Sequence, residues 1–302
     1  MTKGWVRRLL WLSLGVGCVF LFVHEPGAGQ HRLVRQLWDL GHLVLFGVIG
    51  YLVGEHLRSK PWRDFLFALL VAAITGWLIE CMQLLIGRDY SLDDVVADIV
   101  GMGCGLLAGG RLRLCLQRRL FVTVAALLLA LAALEMQSTF RSAVDAVNAW
   151  RSFPVLADFE RGPLPSLQRE RFGAGEASLQ VESAALRVDL RAGKYPGFAL
   201  NDFPNDWRGW RYLVFDLENP DTTPLPLRCR IHDATHNHEH FDRYNRRFIL
   251  MPGRQQLRID LAEVATAPRG RAMDMTALRL PLCFTPQLQQ PRSLRLYAMW
   301  LE

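Results

Sequence analysis

Residues 38–52 read WDLGHLVLFGVIGYL, and residues 77–105 read WLIECMQLLIGRDYSLDDVVADIVGMGCG. These stretches decide the fold, because three mostly apolar segments between Leu37 and Gly110 each carry ionisable residues that hydrocarbon disfavours. Asp39 and His42 begin the first segment, Glu80 and Gln83 lie near the end of the second, and Asp94 and Asp98 open the third. A loop with Arg88, Asp89 and Asp93 precedes the third. At helical spacing Asp39, His42, Phe46 and Gly50 form one stripe, Gly76, Glu80, Gln83 and Gly87 a second, and Asp94, Asp98, Gly101 and Gly105 a third. Glycine lets helix backbones approach closely and a buried acid needs partners, so the simplest packing turns the three stripes toward one another.

Outward from this core, apolar runs mark five candidate spans, near residues 5–23, 37–55, 65–86, 95–110 and 120–136, of which the fourth is the shortest. With the N-terminus cytoplasmic, the inside segments hold Lys3, Arg7, Arg8, then Arg58, Lys60, Arg63, then Arg111, Arg113, Arg118 and Arg119. The outside loops hold Arg32, Arg35 and Arg88, a bias of ten against three. An odd number of spans places everything after about residue 137 outside the cytoplasm. The first run could also be a signal peptide, but Pro26, Gly27 and Ala28 make a poor cleavage site, and the orientation of the rest is the same either way.

The net charge of +6 does not indicate nucleic acid: the membrane half carries 13 basic and 10 acidic residues, its basic ones concentrated in short loops. Ser138 to Trp150 places Phe140, Val144, Val147 and Trp150 on one helical side, as in an interfacial helix or an ordinary amphipathic connector. From Phe153 onward the period changes to two. Leu186–Leu190, Tyr212–Leu217, Leu225–His232, Arg246–Leu250, Leu257–Leu261, Ala277–Leu282 and Leu294–Trp300 all alternate, with turn clusters such as NPDTTP and MPGRQ between them. Many short strands with almost no helix imply an antiparallel sandwich.

The predicted fold is thus a membrane all-α bundle of about five spans (1–136), an interfacial helix or linker (137–153), and an extracytoplasmic all-β sandwich (154–302). Cys229 and Cys283 lie on the oxidising side. A disulfide is allowed there, but alternation sets Cys229 among apolar neighbours and Cys283 opposite Leu280 and Leu282, which favours separate thiols.

Depth adds to the polar constellation. In this topology Asp39, Glu80 and Asp94 lie within about two turns of the outer surface, at ~1.5 Å per residue, and could share one cavity. A His with several carboxylates can hold a divalent metal, Asp or Glu can serve as acid or base, and Arg88 could hold a phosphate or carboxylate head group. The alternative is an internal polar network that only holds the helices together.

At these residues the chain resembles the VanZ-like membrane proteins over about residues 35–110. Asp39, His42, Glu80, Gln83, Arg88, Ser91, Asp94 and Asp98 occupy the family's polar positions, with Asp98 where the family often has Asn. The resemblance implies a multi-span envelope protein, and the namesake is associated with resistance to the glycopeptide teicoplanin. DWRGWRYLVFDLENP, DRYNRRFILMPGRQQLRIDL and LRLYAMWLE look like galactose-binding-like jelly rolls of the carbohydrate-binding type, over about residues 155–302. Such folds bind glycans in some relatives and fill space in others.

Trp207, Trp210, Tyr195 and Tyr244 could stack on sugar rings, with Trp210 expected in the core. His232, His236, His238 and His240, with Glu239 and Asp242, suggest a metal, yet the stretch reads as a solvated loop joining two strands. No GxSxG, Walker loop, GxGxxG or HExxH is present, so no cofactor is indicated beyond a divalent metal, and a nucleotide-driven pump is not expected. The expected partners are the bilayer and an envelope glycan or lipid-linked saccharide. Binding in an outer-leaflet cavity comes first, with Glu80, His42 and Asp94 as catalytic candidates in a hydrolase or transferase alternative, and a scaffold presenting the sandwich as a third.

Overall fold

The computed structural model describes residues 12, 15, 32–56, 61–85, 90–109 and 116–302. Most of the expected first span, Arg88, Cys18 and Cys115 lie outside these residues. The chain divides into two compact units, a helical one that includes Leu33–Arg141 and a mostly β one that includes Ser142–Glu302 together with Arg32.

The helical unit contains α1 (Arg32–Gly54), α2 (Pro61–Leu85), α3 (Leu92–Ala108) and most of α4 (Arg118–Ser152). Among the described residues three helices are long and apolar enough to cross a membrane: α1, residues Trp62–Leu85 of α2, and α4. At 17 residues, α3 is only about 26 Å long against a hydrocarbon core of about 30 Å. Leu66, Phe67, Leu70, Ile74 and Trp77 of α2 are exposed, a surface suited to hydrocarbon rather than water. The sequence reading separates a span at 120–136 from a connector at 137–153, but α4 runs through both without a break. No Gly or Pro interrupts the chain from Arg118 to Phe153, and the helix ends just before Phe153, whose position ahead of Pro154 disfavours helix.

Glycines set how closely α1 and α3 approach. A Cβ on Gly50 would lie 2.3 Å from the Met102 carbonyl oxygen, one on Gly101 2.3 Å from that of Leu43, and one on Gly105 2.0 Å from that of Gly47. Around this seam Phe46, Ala72, Met102 and Leu106 form a buried apolar cluster.

The second unit begins with the last turns of α4, where Asp145 and Arg171 form a buried pair: Arg171 Nε and Nη2 donate to the carboxylate at 2.9 and 2.7 Å. Beyond it are β1 (Val155–Asp158), α5 (Pro165–Arg169), β2 (Phe172–Gly175), β3 (Ala177–Val181), β4 (Leu186–Leu190), β5 (Gly197–Leu200), β6 (Tyr212–Asn219), β7 (Leu225–Asp233), β8 (Tyr244–Leu250), β9 (Gly253–Asp260), α6 (Leu261–Ala265), β10 (Leu278–Phe284) and β11 (Arg292–Leu301). One sheet runs β3-β4-β11-β6-β9 with β1 also on β11, and the other β2-β5-β10-β7-β8; every strand pair is antiparallel. Leu225, Leu227, Cys229, Ile231 and Asp233 alternate inward along β7, and Trp207, Phe159, Phe198 and Phe215 fill the core.

Cys229 and Cys283 are disulfide-bonded, against the expectation of separate thiols. They sit directly opposite on β7 and β10 with Cα atoms 4.2 Å apart. The alternation reading misleads because β10 has a register irregularity between Arg279 and Leu282, where Leu280 adopts φ 44°. An irregularity of this kind changes which face later residues occupy, so Pro281 and Cys283 point inward while Leu282 is only half-buried.

The seam makes a direct prediction. Gly101→Ala or Gly105→Ala meets backbone that cannot rotate away, so it should destabilise the detergent-solubilised protein by about 1–3 kcal/mol in thermal unfolding, the usual cost of overpacking. Gly41→Ala, with open space at its Cβ, should unfold like wild type.

On β7, burial, with His236, Arg230 and Arg243 nearby, pushes the His232 imidazole down to about 4, Asp233 opposing. An unfolded imidazole titrates near about 6.5, so between these values the unfolded chain binds a proton that the folded chain does not. This contribution is complete above about pH 6.5 and declines toward pH 4. The unfolding temperature should therefore drop on acidification from pH 7 to 5 by more in wild type than in His232→Gln. Parallel curves would rule this group out as a source of the acid sensitivity.

Candidate functional site

Three helices bring ionisable side chains together. His42 of α1 lies 3.1 Å, through Nδ1, from Asp98 Oδ1 on α3, and its Nε2 is 3.9 Å from Oδ2 of Asp94, one turn earlier on that helix. Spacing of four residues puts Asp94 and Asp98 on the same helix face. From α2, Glu80 Oε2 accepts the Ser91 backbone N–H at 2.9 Å, and Ser91 Oγ accepts the Asp94 N–H at 3.2 Å as the N-cap of α3. The residue that starts α3 thus also ties α3 to α2. One ligand atom each from His42, Glu80 and Asp94 lies within 4.8 Å of the others, and among the described residues this is the one such group of three or more His, Cys, Asp or Glu.

Burial here is nearly complete: Glu80, Gln83 and Asp98 are 0% exposed and His42 is 2% exposed. Asp98 fits because α2 presents Gly76 to it, where a Cβ would lie 2.3 Å from Asp98 Oδ2. That oxygen has no hydrogen-bond partner among the described residues.

A cavity of about 340 Å³ adjoins the cluster through Asp94, lined also by Gln36, Asp39, Asp93, Glu135 and Thr139. Of the residues singled out from sequence, His42, Glu80, Ser91, Asp94 and Asp98 are brought together. Asp39 is on the cavity wall, Gln83 is buried one turn beyond Glu80 on α2, and Arg88 lies outside the described residues. Glu135 on α4 was missed by the sequence reading, although a lone acid near the end of the Leu120–Met136 run carries the same signal as the acids that were noticed.

The candidates in the sandwich separate differently. Trp207 and Tyr244 are buried, which corrects their reading as sugar-stacking platforms: Trp207 donates its Nε1–H to Pro204 O at 2.8 Å within the core. Trp210 packs partly buried, edge-on to Phe153, and Tyr195 remains exposed. His236, His238 and His240 do not converge as ligands. His236 Nδ1–H donates to Asp242 O at 2.9 Å and its ring stacks on His232, whereas His238 and His240 are exposed. The Arg271 guanidinium and the Asn237 N–H, which both donate to the Asp242 carboxylate, hold its pKa well below the usual carboxylate range and tie the loop to it.

No protein-family model matches the chain, and no curated protein matches it. Among solved structures it is similar to a family 11 carbohydrate-binding module from Clostridium thermocellum in complex with a β-1,3-1,4-mixed-linked tetrasaccharide: 14% identity, TM-score 0.38, 49% of this chain and 93% of that one. It is similar to an agarase at 18% identity and TM-score 0.39, over 49% of this chain and only 26% of the enzyme. A family 30 carbohydrate-binding module of a Clostridium thermocellum cellulosomal cellulase matches at 14% identity and TM-score 0.32, over 43% of this chain and 89% of the module.

Proposed function

We propose that the chain is a multi-pass protein of the inner (plasma) membrane, VanZ-like in its helical half, whose acid-walled cavity receives the saccharide part of an envelope lipid or glycan. The observation that carries this reading is the cavity itself. Its volume of about 340 Å³ falls in the range of small-molecule sites, roughly 300–1,000 Å³, and Asp39, Asp93, Asp94 and Glu135 line it. Carboxylates offer several acceptor positions each, and charged acceptors make the stronger hydrogen bonds, which suits a ligand dense in hydroxyl groups.

Two independent features support the orientation. The arginine-rich short loops favour a cytoplasmic N-terminus, which puts the start of α1, the end of α2 and the start of α3 at the outer surface, where the cavity lies. The Cys229–Cys283 disulfide supports an oxidising compartment for the sandwich, as in the periplasm. The His42–Asp98 hydrogen bond beside Glu80 favours a second reading, a hydrolase or transferase acting on a lipid-linked glycan, since an oriented imidazole next to a carboxylate is an acid–base arrangement.

Titrating the nanodisc-embedded protein with a polyprenyl-diphosphate-linked disaccharide tests the first reading. The Asp39→Asn, Glu135→Gln double variant should weaken binding by about tenfold, about 1.4 kcal/mol, relative to wild type. Equal affinity for saccharide-free polyprenyl phosphate, or an unaffected double variant, counts against it. Turnover of the disaccharide lipid that disappears in Glu80→Gln moves the assignment to the enzyme. If folded, inserted Glu80→Gln, His42→Ala and Asp94→Asn proteins keep their cellular phenotype, for which teicoplanin susceptibility is the readout the VanZ resemblance suggests, only the scaffold reading survives.

A further inference from the structure

We infer that His42, Glu80 and Asp94 form a binding site for one divalent cation of the Mn2+ or Zn2+ type, with Asp98 orienting the imidazole from behind. The first argument is the donor set: one imidazole nitrogen and two carboxylates, supplied by three different helices, with ligand atoms all within 4.8 Å of one another. Ligands on a common ion at bond lengths of about 2.1 Å lie roughly 3–4 Å apart, so side-chain adjustments on the ångström scale close the set. Imidazole suits Zn2+ and carboxylate suits Mn2+, while the absence of thiolate among these three sets soft ions aside.

The second argument is independent and concerns His42 alone. The residue is 2% exposed, its Nδ1 lies 3.1 Å from Asp98 Oδ1, and its Nε2 lies 3.9 Å from Asp94 Oδ2, beyond hydrogen-bond range for that pair. The N-terminus of α3 accounts for acids nearby, since Ser91 caps it and negative charge is favourable in the first turn. It gives no reason for a buried imidazole whose two nitrogens lie 3.1 Å from Asp98 Oδ1 and 3.9 Å from Asp94 Oδ2. A carboxylate that accepts from Nδ1–H fixes the tautomer that leaves the Nε2 lone pair available, the usual outer-shell arrangement of a metal-bound histidine.

The third argument is access. Asp94 belongs to both the cluster and the wall of the cavity, whose other acids, Asp39, Asp93 and Glu135, raise the local concentration of cations at its mouth. The inference stands on the cluster and does not require a saccharide in the cavity.

The test is Mn2+ titration of the purified full-length chain in detergent after chelator treatment, followed by electron paramagnetic resonance. One saturable ion per chain is expected, displaced by Zn2+, with a hyperfine signature of a single imidazole nitrogen. Glu80→Gln and His42→Ala should abolish saturable binding, and Asp98→Asn should weaken it by about 10–100-fold, as for other outer-shell partners. If a variant does not yield folded protein, the nitrogen signature of the wild type decides by itself. No saturable binding of either ion, a bound ion without imidazole coupling, or binding undiminished in folded Glu80→Gln overturns the inference. None of these outcomes depends on whether the disaccharide lipid binds.

Discussion

Backbone contact between α1 and α3 is the constraint from which the helical unit follows. For helices that meet inside a bilayer no water is expelled, and association then rests on close packing and on polar contacts. Gly47 and Gly50 on one helix and Gly101 and Gly105 on the other remove the side chains that would hold the backbones apart. His42 and Asp98 then lie just before these glycines in sequence, and the same close approach lets a short imidazole and a shorter carboxylate reach hydrogen-bond distance. A wider crossing would leave two polar groups buried without each other.

That arrangement has a cost which only particular uses offset. Taking ionisable groups out of water costs several kcal/mol each, and pairing them often returns no more than an apolar replacement would give. Yet Glu80 and Asp98 are fully buried, and α2 gives up a side chain at Gly76 to make room for Asp98. The groups are also organised rather than merely tolerated: Ser91 joins Glu80 to the start of α3, and Asp98 fixes the ring of His42. Pure helix adhesion would be served by hydroxyls and amides at lower cost, so ionisable groups are not the cheapest way to hold these helices together.

Much of this was legible in the sequence, and the limits have physical causes. The three stripes were readable because helical spacing needs no knowledge of partners: Asp39 to Gly50, Gly76 to Gln83 and Asp94 to Gly105 each define a face by arithmetic alone. Longer strands such as β6, β7 and β11 declared themselves by alternation. β2 and β5 did not, since FGAG carries too little apolar contrast and GFAL is buried at all four positions. The disulfide was misread because a register irregularity in β10 reverses the faces, and register belongs to the pairing of strands rather than to either strand. Trp207 looked like a platform because its polar and glycine neighbours suggest a surface loop, whereas its indole nitrogen finds a carbonyl three residues away and the ring can be buried whole. A change in amphipathic pattern near residue 137 hides the unbroken course of α4, although the chain there contains no residue that stops a helix.

Asp94 joins the two parts of the helical site. It lines the cavity, and its Oδ2 lies 3.9 Å from His42 Nε2 in the buried cluster. A ligand that contacts this side chain from the cavity therefore contacts a member of the buried cluster as well. Ser91 narrows the freedom further, since its hydroxyl holds the Asp94 backbone while its own N–H is held by Glu80. A single residue at the first turn of α3 thus borders both the cavity and the buried imidazole.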